Sequence, residues 1–415
     1  MRAILHPAIL TIAFFAACSV PAADDLPVEK DLTVHEWGVF RVHTDAEMAN
    51  SDLAREWNDL PEFVYGQIMG RNIPQHYGAI EIRRRPIVFF HAARPLEVQM
   101  KIDFPGGLAG VWWPGTISPA REGEQRVAMS SSLLWQLGIK QPPKGRLPKS
   151  ETPPKVPKDH WMERLRGVKC DEVFAKYSQN QLDIDREKFV YYDGIFPQGK
   201  WLKLEVANNK VTVTSQVKHA VFDVTVIDHR DETKIRIVRT GELRPGAEFA
   251  PTEFETGNGD TFAAGAAKKL SSQLVLAGLF EDESQALADL WKQELFHEPG
   301  LHVCFRLPQE EYEKRLPMTL SPRPASLVRV GLVVQTHPDA ALGEKVAALV
   351  KELDAEDFSA REAAQKKLKK MGRGIYGHLI RLQKTDLPPE VRIRVRAVLA
   401  EIDSSLAFPQ QRENP

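Results

Sequence analysis

Between Leu96 and Phe104 apolar and polar residues alternate strictly: Leu96, Val98, Met100, Ile102 and Phe104 against Glu97, Gln99, Lys101 and Asp103. A period of two puts the two sets on opposite faces of a pleated strand, so one face must meet a core and the other water. Pro105-Gly106-Gly107 ends the strand, and the Pro86 to His91 segment is its expected hairpin partner. The pattern recurs twice. Leu202, Leu204 and Val206 are answered by Val211 and Val213 across Asn208-Asn209, where asparagine tolerates the positive φ of a tight turn. Phe222, Val224 and Val226 are matched to Ile235 and Ile237 across a tip centred on Arg230-Asp231. Adjacent hairpins with matched apolar sets require an antiparallel sheet, expected as part of a sandwich. The 29 prolines favour such a loop-rich β body over a helical one.

The period then changes. Ala263, Ala267, Leu270 and Leu274 mark one helix; Leu287, Leu290, Trp291 and Leu295 mark a second, ended by Pro299-Gly300. Strand signals return at Leu301 to Leu307 and at Leu327 to Val334, so these helices belong to the β body as a cover. From about Ala341 only helical spacing is left. Val346, Leu349, Val350 and Leu353 share a face. Ala360 to Met371 is a charged amphipathic helix, Ile375 to Gln383 a third, and Val391, Val395, Val398, Leu399 and Ile402 stripe a fourth that opens at Pro388-Pro389. The reading is α+β: a sandwich-like body over residues 24–340, with a Pro- and Lys-rich exposed loop near 140–158, and a small all-α module over 341–415.

The first 23 residues read as a secretory signal peptide: Arg2, a short apolar run from Ala8 to Ala17, then small residues ending near Ala22. The run is shorter than the ~20 residues a membrane span needs. Phe15-Ala16-Ala17-Cys18 offers an alternative, a lipobox in which Cys18 carries a lipid anchor. Any membrane contact is expected through these two features alone. Export sets the terms for the other cysteines. In an oxidising periplasm or cell envelope Cys170 and Cys304 are free to pair or to stay as isolated thiols. A net charge of −1 argues against nucleic acid as a partner.

Few residues stand out for chemistry. His35-Glu36 leads, as a metal ligand or acid–base pair at a strand end; yet adjacent strand residues point to opposite faces, and the bland alternative has one of them anchoring a hydrogen-bond network beside a core Trp37. His297-Glu298-Pro299-Gly300-Leu301-His302 resembles a zinc-hydrolase helix, but its histidines are five apart and Pro299-Gly300 breaks the helix; a loop would have to bring His35, His297 and His302 together. His43, His76 and His91 are further ligands without telling spacing. Glu36, Glu62, Asp103 and Asp193 are carboxylates for an acid–base pair. Trp112-Trp113 either stacks on a sugar or fills a buried corner. No G-x-S-x-G elbow, P-loop or dinucleotide fingerprint is present, and no particular cofactor is implied.

Thr33-Val34-His35-Glu36-Trp37-Gly38-Val39-Phe40 is similar to a TVHEWGTF segment of uncharacterised exported bacterial proteins. The likeness extends to Phe104 through Gly107, Trp112-Trp113-Pro114, Gly278 through Trp291 and Leu316 through Pro324. Relatives of that type carry an acidic residue before the proline matching Pro86, where this chain has Arg83-Arg84-Arg85. The resemblance implies export and a shared fold, and no chemistry. Leu353 to Glu362 with Pro389-Glu390-Val391-Arg392 resembles a HEAT-type repeat, which implies an interaction surface. Two helical hairpins are short of the ~3 repeats a solenoid needs, so the module must dock on the body or on a protein partner. The function expected is therefore a binding or assembly role at the cell envelope, with an extracytoplasmic, metal-dependent hydrolase using His35 or Glu36 as the rival.

Overall fold

Thr33 to Val42, rich in β-branched and aromatic residues, forms the middle of a 16-residue strand, β1 (Val28–His43). It is the axis of the fold. A computed structural model describes residues 27–43, 60–66, 80–117, 130–148, 150–157, 160–176, 183–197, 201–207, 210–231, 233–336 and 341–406. The expected signal peptide over residues 1–23, Cys18 within it, His76 and Asn208-Asn209 lie outside these residues. The remaining strands are β2 (Tyr65–Gly66), β3 (Ile80–Ala92), β4 (Leu96–Asp103), β5 (Leu108–Trp113), β6 (Ser132–Ile139), β7 (Leu147–Pro148), β8 (Val173–Lys176), β9 (Asp183–Glu187) and β10 (Val190–Pro197). They continue with β11 (Leu202–Ala207), β12 (Lys210–Ser215), β13 (Val221–His229), β14 (Ile235–Leu243), β15 (Glu248–Phe249), β16 (Glu255–Gly257), β17 (Gly300–Arg306), β18 (Met318–Ser321) and β19 (Arg323–Thr336). The helices are α1 (Trp161–Arg166), α2 (Gly259–Leu276), α3 (Glu281–Phe296), α4 (Gln309–Arg315), α5 (Leu342–Glu352), α6 (Phe358–Lys370), α7 (Tyr376–Gln383) and α8 (Pro389–Leu406).

The chain is thus α+β and rich in antiparallel sheet. Ten strands form one sheet in the order β16-β14-β13-β17-β19-β1-β3-β10-β5-β2. Here β1 runs parallel to β19 and antiparallel to β3. One face of this sheet, with Trp37, Val39, Ile87 and Phe89, packs under α1, α2 and α3 through Trp161, Leu270, Leu287 and Trp291. The other face meets two smaller sheets. Val34, Val88 and Phe90 pack on Val98, Met100, Trp135 and Leu137 of a six-stranded sheet, and Phe40, Val42 and Phe305 pack on Val211 and Val213 of a three-stranded one. Even and odd positions of β1 therefore serve different layers, as a period of two requires. No described helix is long and apolar enough to cross a membrane.

The alternating strand is β4, buried at Leu96, Val98, Met100 and Ile102. Its expected partner is not its partner. β3 stays in the ten-stranded sheet between β1 and β10, and the chain turns at Ala93 to Pro95 into the six-stranded sheet, where β4 pairs with β6 and β18. Pro86 through Phe90 are all buried, the continuous apolar run of a strand covered on both faces rather than of a hairpin arm. The β11–β12 pair has the expected register, Val206 opposite Val211 and Leu204 opposite Val213. The β13–β14 pair does not: Ile227 faces Ile237, so the tip lies farther along the chain than Arg230-Asp231. That odd-numbered slip exchanges faces. Ile235 and Ile237 join Ile227 under the helices, while Val224 and Val226 face the three-stranded sheet.

The C-terminal helices keep a core of their own, with Val346, Val350, Leu368, Leu379, Val395 and Ile402. Asp357 caps α6 by accepting from the Ala360 N–H at 3.0 Å. Gly372, at φ +61°, ends the α6 region in the left-handed conformation glycine favours, and a Cβ there would lie 3.5 Å from Pro299 of the body.

Candidate metal centre

His35 and Glu36 leave β1 in opposite directions, as adjacent strand residues must. Glu36 points to the layer between sheets. Its Oε2 accepts from Arg329 Nε at 2.6 Å, and its Oε1 accepts from Tyr312 at 2.9 Å and from Tyr192. Glu36 and Arg329 are both fully buried as side chains. Burial pulls the Arg329 guanidinium down, but Glu36 more than offsets it and the net shift is upward. This acid is locked onto a permanent cation.

His35 points to the helix layer. In the β1–β3 register it faces Phe89, which places His91 two residues along β3 on the same side, a diagonal neighbour. The α3 N-terminus comes down over both. Its first turn is acidic, Glu281-Asp282-Glu283, the charge a helix N-terminus favours. Glu283 turns inward. Its Oε2 accepts from the Phe280 N–H at 2.9 Å, the backward reach of a capping glutamate, and lies 2.7 Å from His35 Nδ1. Its Oε1 lies 2.8 Å from His91 Nε2. The Phe280 ring covers the pair, with centroids 4.5 Å from His35 and 4.8 Å from His91. Burial by itself would push the Glu283 carboxyl up; the hydrogen bonds from His35, His91 and the Phe280 N–H outweigh it and hold the group down at about 2.

The three ligand atoms lie within 4.8 Å of one another. Donor atoms around a tetrahedral zinc, at the usual bond lengths near 2.1 Å, are about 3.4 Å apart, inside the spread seen here. A neutral imidazole offers a lone pair on one ring nitrogen, and a change of tautomer can move it to the other. Of the three residues His91 is the most exposed. Glu283 is fully buried and His35 2% exposed, but His91 is 18% exposed and lines a shallow depression of about 450 Å³ with Lys169, Cys170 and Asp171.

Other residues singled out in the sequence lie elsewhere. His297 and His302 do not join His35. His297 follows the far end of α3, some 20 Å of helix from Glu283, with Nε2 3.6 Å from Asp260; His302 is buried on β17, with Nε2 3.3 Å from the Glu298 carbonyl. The candidate ligand set that the fold gathers is His35, His91 and Glu283; the expected trio of His35, His297 and His302 is not brought together. Cys170 and Cys304 form no disulfide. Cys170 lies beside the depression, its Sγ 3.1 Å from the Lys188 carbonyl, while Cys304 is buried on β17; burial pushes each thiol up to about 12, which keeps both protonated. Of the other carboxylates, Asp103 meets Lys101 and Asp193 accepts from the Gly194 N–H at 2.7 Å. Trp112 and Trp113 are buried, Trp113 donating to Glu187 at 3.1 Å, and offer no sugar platform.

Comparison of the chain with family models, curated proteins and solved structures gives no match.

Proposed function

We propose that the protein is an exported hydrolase that holds one divalent transition metal, of the zinc class, on His35, His91 and Glu283. The observation that carries this is the sharing of one buried carboxylate by two imidazoles, at 2.7 and 2.8 Å, beside an opening at His91. Two histidines and a carboxylate are a familiar catalytic donor set, and three protein ligands leave a fourth position for water. A metal so held lowers the pKa of bound water to about 7 and polarises a carbonyl or phosphoryl oxygen. The protein's part is positional. The β1–β3 register sets the two imidazoles, the α3 cap fixes Glu283, and the Phe280 ring packs against both imidazoles. A substrate enters over His91, where Lys169 supplies a cation at the rim.

Elemental analysis of full-length protein, stripped with chelator and dialysed against Zn²⁺ or Co²⁺, tests the reading. One metal per chain is expected, lost in His91→Ala and kept in His297→Ala. No equimolar metal in the parent protein, or an unchanged content in His91→Ala, would end it. Metal-dependent turnover of p-nitrophenyl esters or phosphates then decides hydrolysis.

Two points of architecture belong with this reading. The contact of the ten-stranded sheet with the smaller sheets supports a sandwich-like body, and the mutual packing of the C-terminal helices around one core supports a HEAT-like module. The second functional reading, a binding or assembly role at the cell envelope, rests on that module and on the groove it forms with the body.

A further inference from the structure

We infer, on the ligand set proposed above, that Cys170 is a latch on the metal position: its thiol turns onto the metal as a thiolate and shuts the fourth site against water and substrate. Hydrogen bonds on both sides fix where residue 170 sits. The Lys169 N–H donates to the Asp282 carboxylate at 2.6 Å, next in sequence to Glu283. The Asp171 N–H donates to the Phe90 carbonyl at 2.9 Å, and the Asp171 carboxylate accepts from the Ala92 N–H at 2.5 Å, so residue 171 straddles His91. Cys170 is thus held between neighbours of two ligands, one on α3 and one on β3. It lines the same depression as His91.

The other lining side chains compete poorly for a metal. Ala92 and Ala93 bring no donor, Lys169 is a cation, and the Asp171 carboxylate is engaged by the Ala92 N–H and by Lys140 at 3.4 Å. The thiol gives up little by moving. Its Sγ lies 3.1 Å from the Lys188 carbonyl and 3.6 Å from that of Val168, and a thiol is a weak donor. Sγ stands outside the cluster of three ligand atoms, and a step between staggered rotamers shifts it by about 3 Å. Thiolate is a ligand that zinc binds strongly. The exchange balances: the thiol loses its proton to solvent, the sulfur–metal bond forms, and the bond from metal to water breaks.

The absorption spectrum of full-length protein loaded with Co²⁺ tests the latch. One Co²⁺ per chain is expected, with a near-ultraviolet thiolate-to-cobalt charge-transfer band. The band should vanish in Cys170→Ala and in Cys170→Ser with the Co²⁺ content kept, and should persist in Cys304→Ala. A latch shut about nine-tenths of the time leaves about a tenth of the chains open, so Zn²⁺-loaded Cys170→Ala should hydrolyse a p-nitrophenyl ester about tenfold faster than the parent. Equimolar Co²⁺ without the band would overturn the latch and leave the three-ligand centre standing. A band with no gain of turnover in Cys170→Ala would overturn it too, since the thiolate would then not stand in the way of substrate. Failure of the parent protein to take up Co²⁺ would overturn both the latch and the centre.

Discussion

Glu36 and Glu283 are both fully buried acids, one on each face of β1, and they differ in what holds them. Glu36 is held by a guanidinium and two tyrosine hydroxyls inside the layer between sheets. Glu283 is held by two imidazoles and a helix N-terminus beside an opening. A guanidinium cannot give up its proton, so the first site has one state. Imidazoles can change tautomer or protonation, so the second has several. The contrast separates an acid that fixes the fold from an acid available for chemistry, although depth of burial is the same for both.

The largest effect should come from breaking the locked site. Glu36→Gln leaves the Arg329 charge buried without its counter-charge, and removing one partner of such a pair costs about 3–5 kcal/mol. Urea denaturation of the variant should show that loss, and Glu36→Leu with Arg329→Met should recover much of it. A cost under about 1 kcal/mol for Glu36→Gln would mean that the pair does not lock the fold. Glu283→Gln in metal-stripped protein should cost less, about 1–3 kcal/mol, because an amide keeps an oxygen that can still accept at this site and its partners are not a permanent cation. If Glu283→Gln proved the costlier change, the comparison would be inverted.

The contrast was half legible before the structure. Alternation along a strand already sends His35 and Glu36 to opposite faces, and helical spacing places α2, α3 and the C-terminal helices correctly. What failed did so where alternation is erased. β3 and β13 are covered on both faces, so their apolar residues do not mark a side; hence the wrong partner for β4 and the slipped register of β14. Glu283 had a local signal, the acidic first turn of a helix, but nothing in that turn tells which acid faces inward. Its meeting with His35 spans 248 residues and is decided by how α3 docks. His91 was one histidine among several until β1 and β3 paired.

Acid should act on the exchangeable site through Glu283. Its carboxyl is depressed from an ordinary 4.5 to about 2 in the fold, so it binds a proton more readily when unfolded. The stability it contributes is then complete above about pH 4.5 and is lost as the pH falls toward 2. Chemical denaturation of metal-stripped protein between pH 5 and 2.5 should show this slope, and Glu283→Gln should remove that share of it. A slope unchanged in Glu283→Gln would mean that other carboxylates account for the acid response; Asp228, also held near 2 against the pull of burial by Arg230 and Arg236, is one that the variant leaves in place.

The smallest effect concerns the two thiols, and it sharpens the comparison without unfolding anything. After burial and the opposing pull of Lys188, the Glu283 charge is among the influences that hold the Cys170 thiol up, whereas Cys304 is raised by burial with Asp223 nearby and Arg239 opposing. Reaction with a disulfide reagent proceeds through the thiolate, so its rate at fixed pH follows the thiolate fraction. Removing the charge in Glu283→Gln should speed labelling of Cys170 a few-fold and leave Cys304 unchanged, read by peptide mass spectrometry after short exposures at pH 8. Cys304 is the internal control, because a general loosening would speed both. Equal acceleration would therefore assign the effect to opening of the fold, whereas acceleration confined to Cys170 would show the Glu283 charge reaching the rim of the depression beside His91.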